Sequence, residues 1–174
     1  IGAGTGRLCI PLLLEGYKVD ALECSPHMIS LLLQNLGLKK SKTKIHEMRA
    51  EDMKFQQSYD DIIVSFGSFQ LFSDLGVAQK CLQLFRKALK KGGRLFVDLD
   101  VIRPEVHKAG LKSYGTEVQT SKTEKILLEG SRSWDFIWQT ENVHLRYELW
   151  QKGKLKSTEL QNFSLRWYGI WEFH

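Results

Sequence analysis

Three glycines alternate with two small residues in Gly2-Ala3-Gly4-Thr5-Gly6, the apolar run Leu8 to Leu14 follows, and Glu23 stands 21 residues after Gly2. Residues without a Cβ let backbone approach a ligand closely, and a carboxylate about 20 residues further on can accept from a ribose hydroxyl. The chemistry implied is the holding of a nucleotide-type cofactor. A dinucleotide-phosphate fingerprint places its third glycine three positions after the second. Here Arg7 occupies that position and the third glycine is Gly6. The spacing counts against a nicotinamide cofactor, and an NAD(P)-dependent oxidoreductase is kept as the alternative.

Four further segments follow in order: Tyr17 to Glu23 with the Ser25-Pro26-His27-Met28-Ile29 run behind it, Ala50-Glu51-Asp52, Tyr59 to Phe66, and Leu89 to Asp98. Alternating glycines with a strand-terminating acid, followed by these segments, resemble the class I S-adenosylmethionine-dependent methyltransferases over residues 1 to 100. The narrower resemblance, by layout, is to small-molecule N-methyltransferases with a β-rich insert after the fifth strand. It implies S-adenosylmethionine as cofactor and S-adenosylhomocysteine as product. Gly2, Ala3, Gly4, Thr5 and Gly6 would run against the methionine and ribose portions, and Glu23 would take the ribose hydroxyls, with Cys24 and Met28 beside it. Glu51 and Asp52 would form the adenine-contacting turn, Asp52 accepting from the amino group, and Met53 would lie against the ring. Ser65, Phe66 and Gly67 would pass the methionine end, where Phe66 or Phe69 could touch the sulfonium. The plainer readings are an ordinary glycine turn, a solvated Glu23, a helix-capping Asp52 and a core aromatic.

Methyl transfer from a sulfonium asks little covalent help of a protein, so positioning and electrostatics dominate. The expected activity is in-line transfer to nitrogen or oxygen of a small-molecule acceptor. An amine acceptor needs only to lose a proton to solvent, whereas a hydroxyl would want a base. His27, His46, His107, His144, Tyr114, Tyr147 and Tyr168 are the candidates, and the sequence chooses none. No metal-ligand spacing is present.

The elements that would position these groups alternate. Arg7 to Glu15 reads as a helix closed by Gly16, Lys18 to Leu22 as a strand, and Ser25-Pro26 as the N-cap and first position of a helix carrying Met28, Ile29, Leu32, Leu33 and Leu36 to Gly37. Lys44 to Met48 and the run around Ile62-Ile63-Val64 read as strands, the latter buried on both faces. Val77 to Leu89 reads as an amphipathic helix ended by Gly92-Gly93, with a strand starting at Leu95. The fold class expected is α/β, a Rossmann-like, mostly parallel sheet with helices on both faces. From Val101 the pattern changes. All five tryptophans fall after residue 133, and Val143, Leu145, Tyr147 and Leu149 alternate with polar neighbours before a Lys152-Gly153 turn. The domains expected are a cofactor-binding core, 1–100, and an antiparallel β-rich cap, 101–174. The resemblance implies a lid or substrate platform; a dimer surface is the alternative, so a homodimer through the cap is also considered. The family's first strand and its last strands have no counterpart here, which points to an interior fragment of a longer reading frame.

The 174 residues are 43% hydrophobic and carry a formal charge of +5. Lys39, Lys40, Lys42 and Lys44, and Lys87, Lys90, Lys91 and Arg94, fall around turns and helix ends, where hydrated cations complement the helix dipole. The reading therefore disfavours a nucleic-acid partner. An RNA or protein methyltransferase and a non-catalytic interaction protein built on a cofactor fold remain alternatives. No run approaches the roughly 18 apolar residues that span a bilayer, so no membrane partner is expected. Cys9, Cys24 and Cys81 lack CxxC spacing and read as thiols of a reducing compartment, which gives a cytoplasmic location as the expectation.

Overall fold

The computed structural model describes residues 1–37, 43–100 and 112–173. Within them the chain divides into two compact units, Ile1–Phe69 with Asp74–Asp98, and Gln70–Ser73 with Leu99–His174. The first alternates helix and strand: α1 (Cys9–Leu14), β1 (Val19–Glu23), α2 (Pro26–Leu36), β2 (Thr43–Glu47), β3 (Tyr59–Val64), α3 (Leu75–Ala88) and β4 (Leu89–Val97). This is an α/β arrangement with parallel pairing.

Local chemistry explains the boundaries. Arg7 and Leu8 form a turn, so α1 is shorter than the helix expected from Arg7, and Pro11 falls in its first turn, where its missing N–H costs nothing. Ser25 caps α2, its Oγ accepting the Met28 N–H, with Pro26 at the first helical position and Gly37 closing the end. Asp74 caps α3 through Oδ1 and the Val77 N–H (2.9 Å). Cys9, Leu13, Ala21, Leu32 and Leu36 are buried together, with Ala3, Ile10, Val19 and Ile45 packed around them. Phe69, Cys81, Phe85 and Val64 are also fully buried.

Two expectations are corrected. The Gly92-Gly93 pair does not end the helix: α3 stops at Ala88, Leu89 is already extended and pairs with Tyr59, and pairing resumes at Asp61 with Arg94. The glycines belong to a bulge within β4, because a Cβ on Gly93 would stand 2.8 Å from the Asp60 carbonyl oxygen. Nor do the parallel strands form one continuous sheet. Hydrogen bonding joins β1 to β2 and β3 to β4 as separate ladders. Between them the Ile1 amine donates to the Ile63 carbonyl (2.9 Å) and the Ala3 N–H to the Leu22 carbonyl (3.0 Å). The start of the glycine loop is thus held to both pairs.

The second unit is a four-stranded antiparallel sheet in sequential order, β5 (Lys112–Ser121), β6 (Glu124–Asp135), β7 (Thr140–Gln151) and β8 (Lys154–Arg166), followed by the short α4 (Ile170–Phe173). The Lys152-Gly153 turn joins β7 to β8 with both residues at positive φ (50° and 73°), the geometry whose twist matches a hairpin. Ile126 pairs with Leu149, Leu128 with Tyr147 and Val143 with Phe163, so β7 carries its apolar residues on one face, as the alternation predicted, and β6 adds Ile126 and Leu128 to it.

Candidate functional site

The glycine loop is anchored by Glu23 at the end of β1. The Gly4 N–H donates to Glu23 Oε2 (2.8 Å), while the Cys24 and Ser25 N–H groups donate to Oε1 (both 2.9 Å). Only 9% of Glu23 is exposed, so these donors replace the water the carboxylate has lost. A carboxylate offers about four acceptor positions; backbone takes three, leaving room for one further donor on Oε2. Two glycines of the loop have distinct reasons. A Cβ on Gly6 would stand 2.6 Å from Leu32 Cδ1 and 2.7 Å from Ile10 Cδ1, so the loop could not seat against α2. Gly4, at φ 53°, has nothing within 4 Å of where a Cβ would be, and its face is open. An open glycine beside a desolvated acid with an unused lone pair suits a ribose hydroxyl.

The second arm begins where the Met48 N–H donates to the Glu23 carbonyl (3.1 Å), bringing the end of β2 beside β1. A 3-10 turn over Ala50–Asp52 follows, with Ala50 and Met53 buried beneath it. Glu51 pairs with Arg49. Burial alone would raise the Glu51 carboxyl, but its backbone hydrogen bond and Arg49 outweigh that and hold it below its ordinary value. The Asp52 carboxylate is exposed and accepts no hydrogen bond among the described residues. Arg49, not Asp52, is the N-cap position of this turn, so the capping explanation for Asp52 falls. Met28 lies exposed in the first turn of α2, two positions beyond its cap-adjacent proline. The exposed Cys24 thiol is pushed up by partial desolvation and by the charge of Glu23.

The third arm follows β3. Ser65 is buried, Phe66 takes φ 55° and Gly67 φ 67°, and the Ser68 hydroxyl turns back to the Ser65 carbonyl (2.7 Å). Phe66 is 58% exposed, and the Arg7 guanidinium lies 4.4 Å above its ring. Phe69 is fully buried, which assigns it to the core and leaves Phe66 as the accessible aromatic. Gly2 approaches this arm, since a Cβ there would stand 3.1 Å from Ser68 Oγ. A cavity of about 830 Å³ is lined by residues of β1 and β3 together with Gly2, Ala3, Arg7, Ser65 and Phe66, whereas Glu23 and Asp52 do not line it.

The base candidates scatter. His107 lies outside the described residues, as do Lys39, Lys40 and Lys42. His144 Nδ1 pairs with Asn162 Oδ1 (2.9 Å) in the antiparallel sheet, and the Tyr168 hydroxyl donates to the Phe72 carbonyl (3.1 Å). His46 belongs to a cluster that the sequence did not reveal. Asp20 Oδ2 accepts from the Tyr59 hydroxyl (3.0 Å) and meets His46 Nε2 (3.4 Å), with the Phe55 ring edge-on to both His46 and Tyr59. Of the basic residues, Lys90 pairs with Asp60 and Arg94 with Asp61. Cys9 and Cys81 are buried, and burial pushes the Cys81 thiol up to about 11, where it is inert. Among the described residues no group of three or more ligating side chains is placed for a metal, and no helix is long and apolar enough to cross a membrane.

A family model described as a methyltransferase domain matches residues 1–93. The chain is 32% identical over 75 residues to a dimethyladenosine transferase of Candida glabrata, covering 43% of this chain and 24% of that protein. It is 34% identical over 96 residues to a chloroplastic 2-methyl-6-phytyl-1,4-hydroquinone methyltransferase of Arabidopsis thaliana, covering 54% and 27%. In fold it is similar to the sugar N-methyltransferase KedS8 from Streptoalloteichus, with a TM-score of 0.81 at 15% identity over 99% of this chain and 66% of that one. The chain thus spans about a quarter of the length of the curated relatives it matches.

Proposed function

The chain belongs to the S-adenosylmethionine-dependent methyltransferases, and from that premise we propose that it moves a methyl group from S-adenosylmethionine to nitrogen or oxygen of a small molecule. The observation that carries the reading is the Gly4 N–H to Glu23 bond (2.8 Å) beside the open face of Gly4. It fixes a carboxylate and a bare backbone turn in one place, with one acceptor position unused.

When bound, the cofactor supplies a methyl group already activated by its sulfonium. Glu23 accepts a ribose hydroxyl, and its three backbone donors keep it from turning away. The uncommitted Asp52 carboxylate accepts from the adenine amino group. Gly4, with Ala3 and Thr5, presents backbone against the ribose and methionine portions. Ser65, Phe66 and Gly67 border the methionine end, and the left-handed backbone there turns the Phe66 ring outward. Alignment and exclusion of water are what these groups contribute, and an amine acceptor needs no base among them. The relatives' names, a dimethyladenosine transferase and a 2-methyl-6-phytyl-1,4-hydroquinone methyltransferase, point to chemically different molecules and do not select one acceptor.

Calorimetry with S-adenosylhomocysteine and with NADH tests the reading. The wild-type chain binds the first and not the second, and Glu23→Ala weakens binding about tenfold or more, the worth of a charge-assisted hydrogen bond. Unchanged affinity in Glu23→Ala removes Glu23 from the site, and preference for NADH overturns the assignment.

A further inference from the structure

An open groove of about 890 Å³ lies where β4 begins, and its charged residues are all of one sign. Arg86, Lys87, Lys90 and Lys91 line it, with no carboxylate and no aromatic ring among the described residues that do so. The chain as a whole carries 25 basic and 20 acidic residues, so composition alone does not produce such a patch. All four cations are exposed, and only Lys90 has a carboxylate partner among the described residues, Asp60 at 2.9 Å. From sequence these cations read as complements to the end of α3, but the carbonyls there are already taken. The Leu89 N–H donates to the Phe85 carbonyl, the Gln57 N–H to that of Lys87 (2.9 Å) and the Ser58 N–H to that of Ala88 (2.8 Å). Three positive charges thus share one groove against their mutual repulsion, and no described carboxylate balances them.

We propose that this groove docks the phosphodiester backbone of a single-stranded nucleic acid. Arg86, Lys87 and Lys91 each neutralise one phosphate, Arg86 through the paired N–H donors of its guanidinium, while the Gln57 and Gln83 amides in the lining donate to sugar and phosphate oxygens. Gly92, at φ 78°, has nothing within 4 Å of where a Cβ would stand, so a strand can lie against bare backbone. The lining comes from a loop, a helix end and a strand bulge, with no projecting helix or ribbon to enter the groove of a duplex, so a single strand is the form that fits. Without an aromatic ring the bases have no platform to stack on, and the contact is indifferent to sequence. Leu82, Leu89 and Leu95 in the lining are half-buried, so the groove lacks the exposed apolar face that a membrane-surface site inserts. The formal charge of +5 adds long-range attraction. The Ser58 N–H that reaches the end of α3 immediately precedes β3, and Ser65 follows the other end of that strand, six residues or about 20 Å away. The groove is therefore a docking surface and not the acceptor site, and the proposal stands apart from the S-adenosylmethionine reading.

Fluorescence anisotropy of a labelled oligouridylate, titrated with the full chain at several salt concentrations, tests the proposal. Three neutralised phosphates at about 0.7 released counterions each give a log–log salt slope of about −2, so a fourfold rise in salt weakens binding about twentyfold. A mixed-sequence strand of equal length binds as tightly. Lys87→Gln and Lys91→Gln each flatten the slope by about 0.7, and the triple variant Arg86→Gln, Lys87→Gln, Lys91→Gln loses about tenfold or more in low salt. The triple variant keeps its melting temperature and its affinity for S-adenosylhomocysteine, because its three residues are exposed and far along β3 from Ser65. Absence of oligouridylate binding in low salt, or unchanged binding by the triple variant, overturns the proposal. So does equal or tighter binding of a polyglutamate peptide or of phosphatidylserine vesicles, which would assign the groove to a protein or a membrane. Each of these results leaves the cofactor reading untouched, since S-adenosylhomocysteine binding is measured separately.

Discussion

Among the described residues each unit buries one charged residue that organises its surroundings, and the two residues do so to different ends. In the parallel-stranded unit Glu23 collects N–H groups from its own strand end and from the glycine loop, and keeps an acceptor position beside open space. In the antiparallel unit Arg166, 6% exposed, donates to the Trp138 carbonyl, to Gln139 Oε1 (2.8 Å) and to Glu172 Oε1 (2.9 Å), while its Nε has no partner. Gln139 and the Gly169 N–H close the other side of Glu172. The guanidinium thereby fastens the β6–β7 turn to α4. A buried charge with unused capacity facing open space makes a site, whereas one consumed by chain segments on every side makes an anchor. Exposed aromatics stand beside both, Phe66 by the loop and Trp138 and Trp171, 67% and 90% exposed, around the anchor.

The largest expected effect separates two glycines of one loop. Gly6→Val combines a left-handed backbone at φ 94° with a clash against the fully buried Leu32, and it should destabilise the chain by about 4 kcal/mol. Gly4→Ala meets open space and should cost about 1 kcal/mol in stability while weakening S-adenosylhomocysteine. Urea unfolding measures the first quantity and calorimetry the second. Equal destabilisation by the two would show that the loop is shaped by backbone strain alone and not by its seat on α2.

Arg166→Met comes next. Glu172 keeps access to water, but the Trp138 carbonyl and Gln139 Oε1 lose a charged donor, at a cost of about 2 kcal/mol. The loss should appear as faster hydrogen exchange in residues 135–140 and a shift in tryptophan emission, with S-adenosylhomocysteine affinity unchanged. Weakened cofactor binding would contradict the division between anchor and site.

Tyr59 tests the parallel unit away from its ligand face. Burial, then the hydrogen bond and charge of Asp20, push its phenol up from 10.0 to about 12. The folded state thus favours the protonated form. Its contribution is complete below pH 10 and disappears as pH rises through 12. Tyr59→Phe should cost about 1 kcal/mol at neutral pH and flatten the alkaline fall in stability. A tyrosinate absorbance titration in which every tyrosine ionises near its ordinary value would refute the Asp20 bond.

How much of this was legible follows from the range of each interaction. Ser25-Pro26, the α2 stripe, Lys152-Gly153 and the alternation in β7 are local signals, and the structure honours them within a residue or two. The position of Glu23 was legible because the glycine-to-acid spacing is fixed by one helix and one strand. Its three backbone donors were not, because they depend on how the loop folds back. Gly92-Gly93 misled because a helix stop and a bulge call for the same residue, and only the Asp60 carbonyl facing Gly93 distinguishes them. Asp20 with Tyr59, and Arg166 with Glu172, left no trace, since each joins side chains whose proximity is set by strand pairing or chain reversal.

The smallest expected effect concerns charges on the parallel unit that serve neither role. Arg94 donates to Asp61 through Nε (2.8 Å) and through an η nitrogen (3.0 Å), and this bidentate contact holds the Asp61 carboxyl below its ordinary value. The pair is nevertheless open to water, where side-chain entropy and screening offset nearly all of its Coulomb attraction. Asp61→Asn should therefore leave the melting temperature and the affinity for S-adenosylhomocysteine within error of wild type, in low salt and in high. A clear loss in low salt that vanishes in high salt would mean that the net charge of +5 makes each exposed acid count. The contrast between the units would then owe less to Glu23 and Arg166 than to the field around them.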